Sequence, residues 1–173
     1  MKPSEQAYKM IRDWEKYQAR AYKAVKTEKY YTIGYGHYGP DVQRYQFVTP
    51  ERAEDILRQD VAAYSDKLSK QCPDLTQREY DALISLIYNI GWYRFSYSMT
   101  CKCMTGIRTK YSPEDCAARI VLWVRSADKV LLGLQRRRVA EANYFLGYER
   151  YTIENGFITD MIERPGTLVN CFD

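Results

Sequence analysis

The sequence predicts an α+β protein that is mostly helical, with one small antiparallel sheet near its N-terminus. Apolar residues recur at helical spacing through most of the chain, helix-start signals precede these segments, and one short region alternates like a strand. A chain of 173 residues is long enough to form a single domain with a sizeable core.

The N-terminal region predicts a helix that leads into a hairpin. Ser4 is a suitable N-cap, and we expect the helix to end at Glu15. Its apolar face repeats at spacings of three and four and consists of Ala7, Met10, Ile11 and Trp14. From about residue 22 to 38 the pattern changes to aromatic and β-branched residues with glycines, and Thr32 alternates there with Ile33. This region predicts the small sheet.

Later segments carry clear helix-start signals. Thr49-Pro50-Glu51 predicts a long helix that runs to about Lys70. Thr76 and Glu79 form a capping box, and Gly91 is placed to end that helix. Two further helices are predicted to start at Ser112-Pro113 and to run from Gly133 to Gly147.

Charge and composition restrict the class of partner. The net charge of +4 is far from a nucleic-acid-binding signature but suits a weakly anionic partner such as the bacterial cell wall. The 17 tyrosines can fill a core, and tyrosine also stacks on sugar rings. The N-terminus lacks the apolar run of a signal peptide, and no stretch approaches the ~18 apolar residues of a membrane span. We therefore expect a protein made in the cytoplasm.

The cysteines and the single histidine argue against a metal site or another cofactor. The five cysteines are an odd number, and Cys101-Lys-Cys103 has no second pair to complete a zinc site. His37 is the only histidine. We expect the cysteines to be free thiols in a reducing cytoplasm; they are Cys72, Cys101, Cys103, Cys116 and Cys171.

Three blocks of sequence occur in a fixed order. The first joins Glu15 to Ala-Tyr-Lys and Thr-Ile-Gly-Tyr-Gly-His at 21–37, and the second is LTQREYDALISLIYNIG at 75–91. The third joins Trp123 to KVLLGLQRRRVAEANYFL at 129–146. Together they resemble the bacteriophage-type lysozymes, the endolysin family that cleaves peptidoglycan.

The resemblance implies a two-lobed, lysozyme-like fold with a substrate cleft between the lobes. The N-terminal lobe would hold the sheet, and the helical C-terminal lobe would cover about residues 75–147, within a domain of 1–147. Residues 148–173 form an extension that we expect to pack on the same domain, with a turn at Pro165-Gly166. Its apolar residues are Ile153, Phe157, Ile158, Ile162 and Leu168.

Glycoside hydrolysis requires an acid for the leaving oxygen and assistance for the attacking water or nucleophile. Glu15 matches the general acid of the family, and burial near the apolar face of Trp14 is expected to raise the pKa of its carboxyl group. Thr32 matches the threonine that positions the attacking water. Strand alternation places Thr32 on the face opposite Ile33.

The second carboxylate of the family is missing. Members usually have Glu, eight residues, Asp, five residues, Thr, and here the Asp position is Ala24; counting back from Thr32 gives Lys26 instead. Glu28 is the nearest acidic replacement, in a hairpin that is two residues longer. Four strand residues span ~13 Å, so Glu28 serves only if the loop folds back.

Further contacts carry over by position. The resemblance implies that His37 supports the acid, and that Tyr38, Tyr88 and Ser98 contact sugar or pack between the lobes. Either Arg136 or Arg137 is expected to approach Glu15 from the last helix.

Two classes of function remain open from the sequence. The first is a monomeric muramidase that cleaves peptidoglycan between N-acetylmuramic acid and N-acetylglucosamine and lyses the cell wall after release from the host cytoplasm. The alternative is a lysozyme-like protein that binds glycan or a protein partner and hydrolyses weakly or not at all. A cell-puncturing component on the same fold and a chitin-cleaving enzyme are further possibilities.

Overall fold

The computed structural model describes residues 1–162 and the backbone of 167–168. The described residues contain seven helices, and four of them begin at the N-caps that the sequence predicted, Ser4, Thr49, Thr76 and Ser112. The helices are α1 (Glu5–Glu15), α2 (Pro50–Gln71), α3 (Gln77–Ile90), α4 (Trp92–Ser96), α5 (Met99–Thr105), α6 (Pro113–Ile120) and α7 (Leu132–Leu146).

The described strands form three small antiparallel sheets. The first has the order β1-β2-β3, the second pairs β4 with β5, and the third has the order β6-β7-β8. The strands are β1 (Gln18–Tyr22), β2 (Tyr31–Gly34), β3 (His37–Gly39), β4 (Arg125–Ser126), β5 (Lys129–Val130), β6 (Tyr151–Glu154), β7 (Phe157–Asp160) and β8 (Thr167–Leu168). The prediction of a mostly helical α+β fold is confirmed.

Helix α3 lies at the centre of the larger hydrophobic core. The capping box of Thr76 and Glu79 fixes its start, and Gly91 ends it with a positive φ. Residues 79–87 of this helix are all buried, so it is surrounded on every side, and it packs against α1, α2 and α7. This core positions the last turn of α1 beside α7.

A smaller core supports the first sheet. Ile33 of β2 packs with Val42, Val48 and Ala53, and all four side chains are buried. The sheet begins at residue 18, four residues earlier than the sequence predicted. Strand β1 alternates in exposure, but the residues on its inner face are Ala19 and Ala21, whose small side chains give no apolar signal in the sequence.

The hairpin of β6 and β7 packs against α7. The Asn143 side chain accepts hydrogen bonds from the amides of Arg150 and Tyr151 and donates to the Tyr151 carbonyl. Tyr151 and Ile158 are buried in the larger core. The predicted turn at Pro165-Gly166, the Leu168 side chain and Cys171 lie outside the described residues.

Four cysteines fall within the described part of the chain. Cys72, Cys101, Cys103 and Cys116 are buried and unpaired by disulfides. None of the described helices combines the length and the apolar character needed to cross a membrane.

Candidate active site

Glu15 lies at the C-terminal end of α1, where the chain turns sharply into the first sheet. Lys16 makes this turn with a φ of 59°. The Glu15 carboxylate oxygen Oε1 accepts a hydrogen bond from Arg137 Nη1 at 2.6 Å. The Glu15 side chain remains 22% exposed, whereas Arg137 is 5% exposed. Glu15 is therefore held by a buried arginine, while part of its side chain remains accessible to solvent.

Arg137 is held in place by a buried polar network. Its Nε lies 3.0 Å from Glu141 Oε1, and its Nη2 donates to the Ser85 carbonyl at 3.1 Å. The Ser85 hydroxyl donates to the same Glu141 oxygen at 2.7 Å. Arg138 Nε lies 3.0 Å from the other Glu141 oxygen, and burial lowers the pKa of the Arg138 guanidinium to about 10. A single buried carboxylate thus fixes two arginines.

The backbone of Gly36 closes the other side of Glu15. A Cβ atom added to Gly36 would lie 3.3 Å from Glu15 Oε2, and Gly36 has a φ of +89°. The sequence predicted an apolar environment for Glu15 beside Trp14. The structure instead places a guanidinium and a glycine backbone against the carboxylate, and Trp14 is only half-buried.

Thr32 lies in a row of three side chains that crosses the first sheet. Tyr22 of β1 and Tyr38 of β3 are its direct cross-strand partners. Directly opposed residues of antiparallel strands share one face of the sheet. Both tyrosines are exposed, Tyr22 by 41% and Tyr38 by 48%, whereas Ile33 on the opposite face is fully buried. The predicted orientation of Thr32 agrees with this alternation.

The Glu28 side chain folds back to Ala24, one of the two candidate positions for the missing carboxylate. Its Oε2 accepts a hydrogen bond from the Ala24 amide at 2.8 Å. The Lys23 ammonium donates to the Glu28 carbonyl at 2.6 Å, and the Glu28 amide donates to the Val25 carbonyl. Residues 23–28 therefore form a closed turn, which returns the Glu28 carboxylate to Ala24.

The charges of Glu15 and Glu28 both affect the pKa of Tyr22. Burial raises the pKa of Tyr22, and the negative charges of Glu15 and Glu28 raise it further. The cross-strand partner of Tyr22 is Thr32. The sequence reasoning missed Tyr22, although its place two residues before Ala24 was a usable signal.

His37 lies between two aspartates below this site. Its Nδ1 is 2.8 Å from Asp60 Oδ2, and its Nε2 is 3.0 Å from Asp41 Oδ2. The hydrogen bond with Asp60 is the main reason that the pKa of His37 is raised to about 9, with Asp41 adding to the effect. A charged imidazolium at this position ties β3 to α2.

The remaining predicted sugar contacts have protein partners. The Tyr38 hydroxyl accepts a hydrogen bond from the Tyr30 amide. The Tyr88 hydroxyl donates to the Tyr35 carbonyl at 2.8 Å, which joins α3 to the turn after β2. The Ser98 hydroxyl caps α5. Tyr38 lies beside Thr32, whereas the Tyr88 and Ser98 hydroxyls hold backbone groups.

Among residues 1–162, no group of three or more His, Cys, Asp or Glu side chains is arranged to hold a metal ion. The chemistry available at the site is that of carboxylates, a threonine hydroxyl and phenols. Of the two arginines considered for Glu15, Arg137 makes the contact and Arg136 is exposed.

Known proteins resemble this chain over most of its length. The endolysin of Bacillus phage PZA is 42% identical over 146 residues, which cover 84% of this chain and 55% of that protein. The endolysin of Bacillus phage B103 is 39% identical and covers 84% of this chain and 54% of that protein. The chain therefore spans little more than half the length of these two relatives.

A solved structure and a family model also match most of this chain. The muramidase domain of SpmX from Asticaccaulis excentricus has a TM-score of 0.75 and 27% identity, and the match covers 84% of this chain and 97% of that domain. The model of the phage lysozyme family matches residues 12–141, which include Glu15, Thr32 and Arg137. The chain belongs to the phage lysozyme family.

Proposed function

We propose that this chain is a glycoside hydrolase of the muramidase type. Its substrate would be the peptidoglycan glycan strand, cut between N-acetylmuramic acid and N-acetylglucosamine, and the result would be lysis of the cell wall. The observation that supports the proposal is the return of the Glu28 carboxylate to Ala24, two residues after Tyr22, the cross-strand partner of Thr32. Two carboxylates with different environments are what glycoside hydrolysis requires.

Glu15 is the proposed general acid. Its carboxyl group would protonate the glycosidic oxygen as the bond to the anomeric carbon breaks. Arg137 approaches one carboxyl oxygen at 2.6 Å, and Gly36 packs against the other. These contacts leave the carboxyl few orientations, so the reacting oxygen is positioned before substrate arrives.

Glu28 is the proposed general base, with Thr32 as the group that holds the attacking water. Glu28 Oε2 is engaged by the Ala24 amide, which leaves the other oxygen to accept a proton from water. The Thr32 hydroxyl would orient that water toward the anomeric carbon. A water activated in this way attacks opposite the leaving group, so the product anomer is inverted.

A cell-wall clearing assay tests the hydrolase proposal. Wild type, Glu15→Gln, Glu28→Gln and the exposed control Glu154→Gln are compared on purified peptidoglycan by loss of turbidity. We expect wild type and the control to clear the walls. Both site variants should lose activity by about 10²–10⁴-fold, because each lacks an acid or a base. A wild type no faster than Glu15→Gln would support the binding-protein alternative instead.

The chemical outcome tests the assignment of Glu28. Proton NMR of freshly released reducing ends should detect the inverted anomer first. Retention would mean that a carboxylate acts as nucleophile. Mass spectrometry of products from peptidoglycan and from chitin oligomers, run in parallel, distinguishes the two polysaccharides as substrates.

We further infer that the protein acts as a monomer on the wall and remains in the host cytoplasm until it is released. The four described cysteines are unpaired thiols, as expected for a reducing compartment. Size-exclusion chromatography with light scattering tests the monomer at the protein concentrations used for the clearing assay.

A further inference from the structure

The sheet face that carries Thr32 continues beyond β1 to Phe47. Arg20 of β1 and Phe47 form an antiparallel bridge. The Ala21 amide donates to the Gln46 carbonyl at 2.9 Å, and the Val48 amide donates to the Ala19 carbonyl at 2.9 Å. In this kind of pair the two opposed residues exchange no hydrogen bond with each other, and their side chains approach closely. Residues 46–48 therefore extend the sheet beyond β1 through this isolated bridge.

Alternation places Phe47 and Arg20 on the same face as Tyr22. Arg20 and Tyr22 are exposed and alternate with Ala19 and Ala21. Phe47 is 62% exposed, whereas the next residue, Val48, is 4% exposed and packs in the smaller core. The face therefore carries Phe47 beside Arg20 and, two residues further along β1, the row of Tyr22, Thr32 and Tyr38.

The geometry points to an extended glycan-binding strip, in which Phe47 stacks on a sugar ring and Arg20 binds a free carboxylate of the peptide stem carried by a muramic acid residue. The strip is defined here as Phe47, Arg20 and Tyr22. This inference rests on the proposed function and names the part of the substrate that lies beyond the catalytic centre.

Two observations favour a peptidoglycan strand as the ligand of the strip. The strip is continuous with the Tyr22–Thr32–Tyr38 row, so a polymer bound at Thr32 has a surface to follow toward Phe47. Arg20 makes no ion pair with any residue that the structure describes and faces solvent, so its planar guanidinium is free to bind a carboxylate in a bidentate manner. Aromatic rings such as Phe47 and Tyr22 bind the apolar faces of sugars.

A binding experiment separates the strip from catalysis. All proteins carry Glu15→Gln, and their retention on insoluble peptidoglycan is measured by co-sedimentation. Phe47→Ala should weaken retention by about 3–10-fold, the range that one aromatic contact supplies. The matched control is Tyr97→Ala, which removes an aromatic ring that is 78% exposed and directly follows α4. Circular dichroism should detect no change of fold, because both rings are exposed.

The role of Arg20 has its own comparison. Arg20→Gln should weaken retention on peptidoglycan by about 3–10-fold at low salt, and less at high salt because the charge is exposed. It should leave the affinity for chitin oligomers unchanged, since these lack the carboxylate. If Phe47→Ala and Tyr97→Ala change the retention on peptidoglycan equally, whether both lose it or neither does, the proposed strip is wrong. Because these assays need no turnover, an inactive wild type in the clearing assay would refute the hydrolase proposal separately.

Discussion

Glu28 Oε2 accepts a hydrogen bond from the amide of Ala24 at 2.8 Å. The Glu28 carboxylate thus lies beside residue 24, one of the two positions, with Lys26, at which the sequence comparison expected the second acid of the family. The turn that makes this possible spans residues 23–28.

A carboxylate returned to residue 24 should compensate for the loss of Glu28. In the Glu28→Gln protein, the additional change Ala24→Asp is expected to recover at least 10-fold of the lost clearing rate, because general-base catalysis is worth about 10²–10⁴. The control is Ala24→Asn in the same background, which has nearly the same shape and no charge. Equal rates for the Asp and Asn proteins would contradict the relocation of the base.

Gly36 should matter for activity more than for stability. The change Gly36→Ala introduces a Cβ atom 3.3 Å from Glu15 Oε2 and requires alanine at a φ of +89°. The matched control is Gly156→Ala, which has a φ of +83° and no atom within 4 Å of the new Cβ. Both proteins should lose about 1–2 kcal/mol in the free energy of unfolding.

Only Gly36→Ala is expected to reduce the clearing rate, by about 10²-fold, because a small displacement of a catalytic group is costly. Urea denaturation and turbidity assays on the two proteins provide the comparison. If Gly156→Ala is equally inactive, general backbone strain rather than the Glu15 contact is responsible.

The sequence predicted helix ends correctly where the role of a residue depends only on its neighbours in the chain. The caps at Ser4, Thr49, Thr76 and Ser112 and the positive-φ end at Gly147 could be predicted, because capping depends on neighbouring residues alone. Strand β1 was located late, because its inward-facing Ala19 and Ala21 resemble the residues of a loop. The last helix begins at Leu132, with Gly133 inside its first turn rather than before it.

The site depends on long-range contacts that no local pattern contains. Arg136 and Arg137 are equivalent in the sequence, and only the packing of α7 on α3 determines that Arg137 is the residue that meets Glu15. The return of Glu28 to Ala24 depends on Lys23 and on the closed turn between them. The network of Ser85 and Glu141 joins residues 56 positions apart.

Glu141 should be essential for stability. It is fully buried between Arg137 and Arg138, so Glu141→Gln leaves the buried Arg138 without its counter-charge and Arg137 with Glu15 alone. We expect a loss of about 3–5 kcal/mol in the free energy of unfolding. The control is Glu5→Gln, which removes a carboxylate that is 63% exposed from its pairs with Arg12 and Arg58. That change should cost less than about 1 kcal/mol, and equal losses would refute a special role for the buried network.

Tyr88 provides a test between sugar binding and contact between the lobes. Tyr88→Phe removes the hydrogen bond to the Tyr35 carbonyl and keeps the ring. If the hydroxyl serves the structure, the free energy of unfolding falls by about 1 kcal/mol and the KM for soluble peptidoglycan fragments is unchanged. A higher KM with unchanged stability would instead support the predicted sugar contact.

The pH dependence of stability should contain a contribution from His37. Its pKa rises from 6.5 to about 9 in the folded protein, with the Asp60 hydrogen bond as the main cause. Because the folded pKa exceeds the unfolded one, the stabilisation is fully present below pH ~6.5 and is lost as the pH rises through about 9. Asp41 is 69% exposed, so solvent screening limits the contribution to about 1–2 kcal/mol.

His37→Gln removes this titration. Urea denaturation at pH 6, 7.5 and 9.5 should find the variant less stable than wild type by about 1–2 kcal/mol at pH 6, with the difference shrinking as the pH increases. Asp60→Asn should reduce the slope as well, because it removes the main cause of the raised pKa. A difference between wild type and His37→Gln that stays constant over this range would mean that the imidazole acts through packing and not through its charge.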